Sequence, residues 1–239
     1  MNYDDNSYAA TAARHYQTVA DADVTTRVEF IRRTYSHLAG AIAALVGIEA
    51  LLFAANIDQI LVPLMFSTQY SWLIVLGLFM VVGHFANKWA MNPGSKPMQY
   101  AGLGAYVLIQ AIIFLPLISL GLHVQPTAIP AAAIVTLVVF AALTALVFIS
   151  KQDFSFMRIA LQVAGFLALG GIVVSIIFGF TLGVWFSVFM IGLAAGYILY
   201  YTGNVLHHYQ TDQHVAASLA LFSAVALMFW YVLRIFLRE

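Results

Sequence analysis

From position 34 onward the chain alternates long apolar stretches with short polar breaks. Seven stretches stand out, at 34–55, 71–91, 98–121, 127–150, 156–179, 184–206 and 213–237. Each is long enough for a helix that crosses the hydrocarbon layer of a membrane, which takes about 20 mostly apolar residues. The breaks contain residues that stop helices: Asn92-Pro93-Gly94 after the second stretch, Gln125-Pro126 after the third, Lys151-Gln152-Asp153 after the fourth. The connection at 181–183 is short, which predicts an antiparallel hairpin for spans five and six. Residues 1–33 are different. They carry Asp4, Asp5, Arg14, Asp21, Asp23, Arg27, Glu29, Arg32 and Arg33, and read as a polar tail, partly helical near 24–33. No apolar run opens the chain, which argues against a cleaved secretory signal. The expected organisation is a polar cytoplasmic tail, 1–33, and one all-α membrane domain of seven helices, 34–239. That leaves no room for a soluble catalytic domain, and no 20–50-residue repeat is evident.

Composition sharpens this picture. Of the 239 residues, 63% are apolar and 8% charged, against about 25% charged in an average soluble domain. A soluble chain of this length could not hide so much apolar surface, and disorder requires the opposite balance. A lipid bilayer is therefore the surrounding that the sequence demands. Ten Lys and Arg balance ten Asp and Glu, so there is no basic field to hold nucleic acid. Cysteine is absent, which excludes disulfides, thiolate metal sites and thiol nucleophiles. The positive charges sort by side. Arg14, Arg27, Arg32 and Arg33 lie in the tail, Lys88 and Lys96 between spans two and three, and Lys151 and Arg158 between spans four and five. The alternate connections carry none, so the positive-inside rule places the N-terminus in the cytoplasm. Seven spans then put the C-terminus, with Arg234 and Arg238, on the far side. A last segment that re-enters instead of spanning would remove that conflict.

Small residues recur at helical spacing. The fifth span has Gly171, Ser175 and Gly179, the sixth Gly192 and Gly196, the seventh Ala216, Ala220 and Ala224. Small residues four apart share a helix face and let backbones approach closely. Close packing is the plain reading; a hinge or pore lining is the functional one. The seventh span is small-faced, which predicts a place inside the bundle.

Glu49, within Val46-Gly47-Ile48-Glu49-Ala50-Leu51-Leu52, is the acid that falls deep inside a span. An ionisable group there is costly unless it meets a partner or water, so it is a functional candidate for an ion or proton site. The alternative is a neutral carboxyl bonded to a neighbouring helix. His84, near the end of span two, and Gln110, in span three, are lesser candidates; the first also fits an interfacial histidine, the second, like Gln162 in span five, an interhelical hydrogen bond. His207, His208 and His214 flank Asp212 at a spacing that matches no specific zinc motif, so no metal site is assigned. Nothing calls for a cofactor. The seventh span lacks the lysine of a retinal protein, the spans lack paired aspartates for an intramembrane protease, and no serine sits in a nucleophile-elbow pattern. A multi-haem cytochrome needs paired intramembrane histidines, and His84 is alone at depth. No enzyme class is supported.

Four stretches resemble the Bax inhibitor-1 family, in its bacterial YccA-like branch. They are Phe30-Ile31-Arg32-Arg33-Thr34-Tyr35 with Leu38; Tyr100-Ala101-Gly102-Leu103-Gly104-Ala105-Tyr106-Val107 followed by Ile113-Phe114-Leu115-Pro116-Leu117; Thr136 and Phe140 followed by Lys151-Gln152-Asp153-Phe154-Ser155-Phe156-Met157; and Tyr200-Tyr201-Thr202-Gly203-Asn204-Val205 with Tyr231-Val232-Leu233-Arg234-Ile235. The Lys151–Met157 run is the most specific. The resemblance implies a seven-helix fold with the last helix central, a place in the inner (cytoplasmic) membrane, and links to pH-sensitive calcium leak and to protection from stress. For the YccA-like branch it implies binding and restraint of an FtsH-type membrane protease. The family's pH sensor is an aspartate pair, one in helix six and one in helix seven. Those positions are Tyr201 and Ala224 here, and neither carries a negative charge at neutral pH. Two functions follow as expectations. One is a membrane-embedded regulator or partner of a membrane protein, such as that protease. The other is a calcium or proton leak in which Glu49, with His84 or Tyr201, replaces the missing pair; against it, calcium prefers six to eight oxygen ligands.

Overall fold

The computed structural model describes residues 17–237. Asp4, Asp5, Arg14 and Arg238 lie outside the described residues. Within them, α1 is Val24–Ala54, α2 Asp58–Met65, α3 Ser71–Ala90, α4 Lys96–Val124, α5 Ala128–Ser150, α6 Arg158–Phe178, α7 Val184–His207 and α8 His214–Phe236. All but α2 are long and apolar enough to cross a membrane, seven in number. The architecture is thus an all-α bundle of seven candidate spans, with a 3-10 turn, Ser155–Met157, leading into α6.

The first helix starts before its apolar segment. Asp23 caps it, its carboxylate accepting the Thr26 N–H at 3.0 Å and the Thr26 hydroxyl at 2.6 Å; this pairing holds the Asp23 carboxyl below its usual range. At 31 residues, α1 is about 46 Å long, longer than the ~30 Å hydrocarbon layer. Its buried seam, Phe30, Thr34, Leu38, Ala41, Leu45 and Glu49, steps by three or four and winds along one side.

The last helix is the core. In its most apolar stretch 78% of residues are buried, against 17–39% in the other six spans. It packs on α7, α1, α5, α4 and, at a smaller interface, α3. Ala216, Ala220 and Ala224 are all buried, so the small face predicted for this span lies where neighbours come close on several sides. The helix is unbroken from His214 to Phe236, long and apolar enough for a full span. By contrast α6 leans on α7, and Phe166, Leu167 and Phe178 on its outer side are exposed.

Two other predicted small faces are only partly used. A Cβ on Gly196 would come within 2.7 Å of Leu161 Cδ2, but one on Gly192 would meet nothing within 4 Å. Along α6, Ser175 is buried and bonds its own Ile172 carbonyl at 2.8 Å, while Gly179 ends the helix in the left-handed region at φ 71°. The tightest crossing lies elsewhere, between α3 and α4. The buried residues of α3 are Gly83, Ala86 and Ala90 alone. Gly83 faces the Tyr106 ring, and Ala86 and Ala90 face Gly102 of α4, where an added Cβ would lie 2.5 Å from the Ala86 carbonyl oxygen and 2.8 Å from the Ala90 nitrogen. Here two backbones touch, as small residues allow.

Candidate functional site

The predicted site residues do not converge. Glu49 closes the buried seam of α1, 9% exposed, with neither carboxylate oxygen hydrogen-bonded. It stands five residues before the helix end at Ala54, a rise of about 7.5 Å, so it lies nearer the far rim than the middle of the span. His84 is exposed on the outer side of α3, its ring edge-on to Phe85 at 5.8 Å. Since α3 returns toward the end at which α1 begins, His84 and Glu49 sit toward opposite ends of the bundle. Gln110 is buried in α4, whereas Gln162 is exposed on α6.

Glu49 lines neither of two cavities in the bundle. One, of about 450 Å³, lies between α1 and α4, with His37 and Tyr100 at its polar end and Gly40 and Gly104 along its wall. The other, of about 680 Å³, is at the end where α8 finishes.

Tyr201 and Ala224 do meet in the interior. Ala224 is 2% exposed in a cluster with Leu117, Ala132, Ile198 and Met228, and the half-buried Tyr201 packs against the same cluster. The Tyr201 ring lies parallel to Tyr197 at 5.6 Å and beside Tyr200 at 5.3 Å. The polar groups buried nearby are hydroxyls. Tyr35 of α1 faces Thr144 of α5 and Thr202 of α7, though none of the three oxygens reaches hydrogen-bonding geometry. Tyr35 is wedged there by Phe140 and Phe148, at 6.4 and 6.0 Å. Tyr197 donates to the Leu161 carbonyl at 3.0 Å. Sequence reasoning missed this three-helix hydroxyl group. The three residues are far apart in the chain, and Tyr35 beside Thr34 at the start of an apolar run was the available signal.

The end that carries the N-terminal segment is a tied polar cap. Thr18 and Gln210 form an antiparallel bridge, and the Val19 N–H donates to the Tyr209 carbonyl at 2.9 Å. Arg27 donates to the Val19 carbonyl at 3.0 Å and also to that of Ala20. Lys96 donates to the Asp212 carbonyl at 2.7 Å, and buried Gln99 to that of Asn92 at 2.7 Å. The histidines around Asp212 part company. His214 is buried with its ring 5.0 Å from His37, which shares a 3.0 Å hydrogen bond with the Tyr100 hydroxyl. His208 turns instead to Asp153, donating at 2.9 Å.

That contact explains the Lys151–Met157 run. Lys151 ends α5 in the left-handed region at φ 51°. Asp153 accepts the Ser155 N–H at 2.8 Å and the His208 ring. Burial, the largest single influence, pushes the Asp153 carboxyl up, but the hydrogen bonds from Ser155 and His208 together outweigh it and hold it below the usual carboxylate range. Phe154 is buried against Gly203. A short run thus clamps the connection before α6 to α7. With side chains about half exposed, the His208–Asp153 pair contributes position more than stability.

Compared with known proteins, residues 27–239 match the model of a family described as inhibitor of apoptosis-promoting Bax1. A curated relative, Bax inhibitor 1 of Schizosaccharomyces pombe, is 26% identical over 225 residues, covering 91% of this chain and 79% of the relative. No solved structure matches.

Proposed function

Because the chain belongs to the Bax inhibitor-1 family, we propose that it is a non-catalytic, membrane-embedded regulator that acts through a membrane protein partner in a stress response. An FtsH-type membrane protease is the partner class, as in the YccA-like branch, and the inner (cytoplasmic) membrane is its place. One observation carries this reading. The positions at which the family resemblance puts a titrating aspartate pair are Tyr201 and Ala224, packed at one apolar cluster against the central helix. An opening latch needs charge that changes there, and neither side chain supplies it near neutral pH.

The charge distribution supports an orientation. Arg27, Arg32, Arg33, Lys88, Lys96, Lys151 and Arg158 gather toward the end of the N-terminal segment, which on the positive-inside rule faces the cytoplasm. The polar cap is then the cytoplasmic face and the surface offered to a partner. The test is reconstitution of the full chain with a purified FtsH-type protease in one bilayer. Degradation of a membrane substrate is expected to slow several-fold, and Lys151→Glu at the exposed cap is expected to weaken the effect. Unchanged degradation at saturating amounts of the chain would reject the reading.

A specific observation favours a second reading, a cation or proton leak. Both Glu49 oxygens are buried without a hydrogen-bond partner, and an acid inside a span defaults to a functional role. Its position away from both cavities and from His84 weighs against a continuous path.

A further inference from the structure

The cavity of about 680 Å³ is built from four elements at the end where α8 finishes. One wall is aromatic. Phe66, just after α2, stacks on Trp72 at 5.4 Å, and Trp72 stacks on Trp230 of α8 at 6.3 Å. The opposite wall carries Ser119 and His123 of α4, with the His123 ring donating to the Ser119 carbonyl at 2.7 Å. Arg234 of α8 also lines it, donating to the Leu182 carbonyl at 3.4 Å and so tied to the α6–α7 connection. No acidic side chain is among the described residues that line the cavity.

Depth and chemistry point to one kind of occupant. Trp72, His123 and Arg234 all lie within three residues of a helix end, the level at which tryptophan and arginine meet lipid headgroups. Phe66 and Leu120 at the rim are exposed, so the cavity communicates with the surrounding acyl chains. Its volume is that of a small-ligand site. Among the described residues that line it, the fixed charge is a guanidinium, the side chain best shaped to meet phosphate. We infer that this cavity binds the phosphate headgroup and upper acyl chain of an anionic lipid from the adjoining leaflet. Arg234 supplies the charge, His123 and Ser119 the polar contacts, and the Phe66–Trp72–Trp230 wall receives the chain.

The tryptophans make the proposal readable. The chain has four, Trp72, Trp89, Trp185 and Trp230. With Trp89 and Trp185 replaced by Phe, both remaining indoles belong to the cavity. This protein is placed in phosphatidylcholine vesicles containing equal mole fractions of either chain-brominated phosphatidylglycerol or chain-brominated phosphatidylcholine. The expected result is tighter quenching by the anionic lipid by about fivefold, the preference one cationic side chain supplies at a membrane surface. Arg234→Gln is expected to remove the preference with helical content unchanged. Equal quenching by the two lipids overturns the proposal, and that comparison needs no change at Arg234, so a misfolded variant leaves the test intact. A preference that persists in folded Arg234→Gln overturns it too. Inorganic phosphate added to the buffer is the third arm. If the two lipids quench equally while phosphate alone shifts the indole emission, the site takes a free anion and not a lipid.

Discussion

Gly102→Ala is expected to lower the thermal stability of the detergent-purified protein far more than the same change at Gly104, two residues away. The added methyl at 102 would lie 2.5 Å from the Ala86 carbonyl oxygen, 2.8 Å from the Ala90 nitrogen and 3.1 Å from Trp89 Cβ. Two of those are backbone atoms of α3, so no side chain can swing aside and α3 must move off α4. Overpacking of this kind costs about 3 kcal/mol. The loss is compounded because small-residue contact is the chief reason for two helices to pair inside lipid, where apolar surface gains nothing by leaving the solvent. At Gly104 a Cβ meets nothing within 4 Å, and alanine there is expected to be neutral or to stabilise by about 0.5–1 kcal/mol through helix propensity. Melting curves of the two variants and the parent protein decide it. Equal shifts would mean that the α3–α4 crossing is looser than described.

Ala224→Asp is the second large effect. Ala224 is 2% exposed and surrounded by Leu117, Ala132, Ile198 and Met228. A carboxyl placed there finds no cation among these neighbours, and burying a polar group without a partner costs several kcal/mol. The substitution is expected to drop the yield of monodisperse protein and to destabilise what remains by about 3 kcal/mol or more. Ala224→Ser, which can bond back to its own helix as Ser223 bonds the Ala220 carbonyl at 2.7 Å, is expected to cost little. If Ala224→Asp is instead well tolerated, the interior is wet at this position and the bundle is not closed there.

Much of the fold could be read from the chain, for a physical reason. Hydropathy separates lipid from water, so the spans emerge within a few residues of their observed ends, except at the start of the first, whose helix begins at Val24 and runs through the charges that precede the apolar stretch. Ala216, Ala220 and Ala224 also marked the last helix as interior, since only small residues suit close contact on many sides. Within lipid the signal weakens. A leucine facing acyl chains and one facing a helix look alike in sequence, so Ala86 and Ala90 opposite Gly102 went unmarked beside the more conspicuous Gly192 and Gly196. The short helix α2 lay hidden in a connection, because eight residues with an internal proline carry too little periodicity. The fold-back of Thr18 onto Gln210 depends on backbone hydrogen bonds, which leave no trace in residue type. Glu49 was conspicuous as an acid, yet its unpartnered carboxylate and its distance from His84 follow from helix direction and length.

A closed bundle that works through a partner conducts nothing. Calcium and proton flux into proteoliposomes puts this to the test across about pH 6–8, the range in which a family-type leak would titrate, with the parent protein beside Glu49→Gln. Flux no greater than in protein-free liposomes is expected at every pH, for both proteins, with folding checked by circular dichroism. Flux that rises in the parent protein and disappears in Glu49→Gln would refute the closed bundle, and would make a single glutamate the ion-handling group.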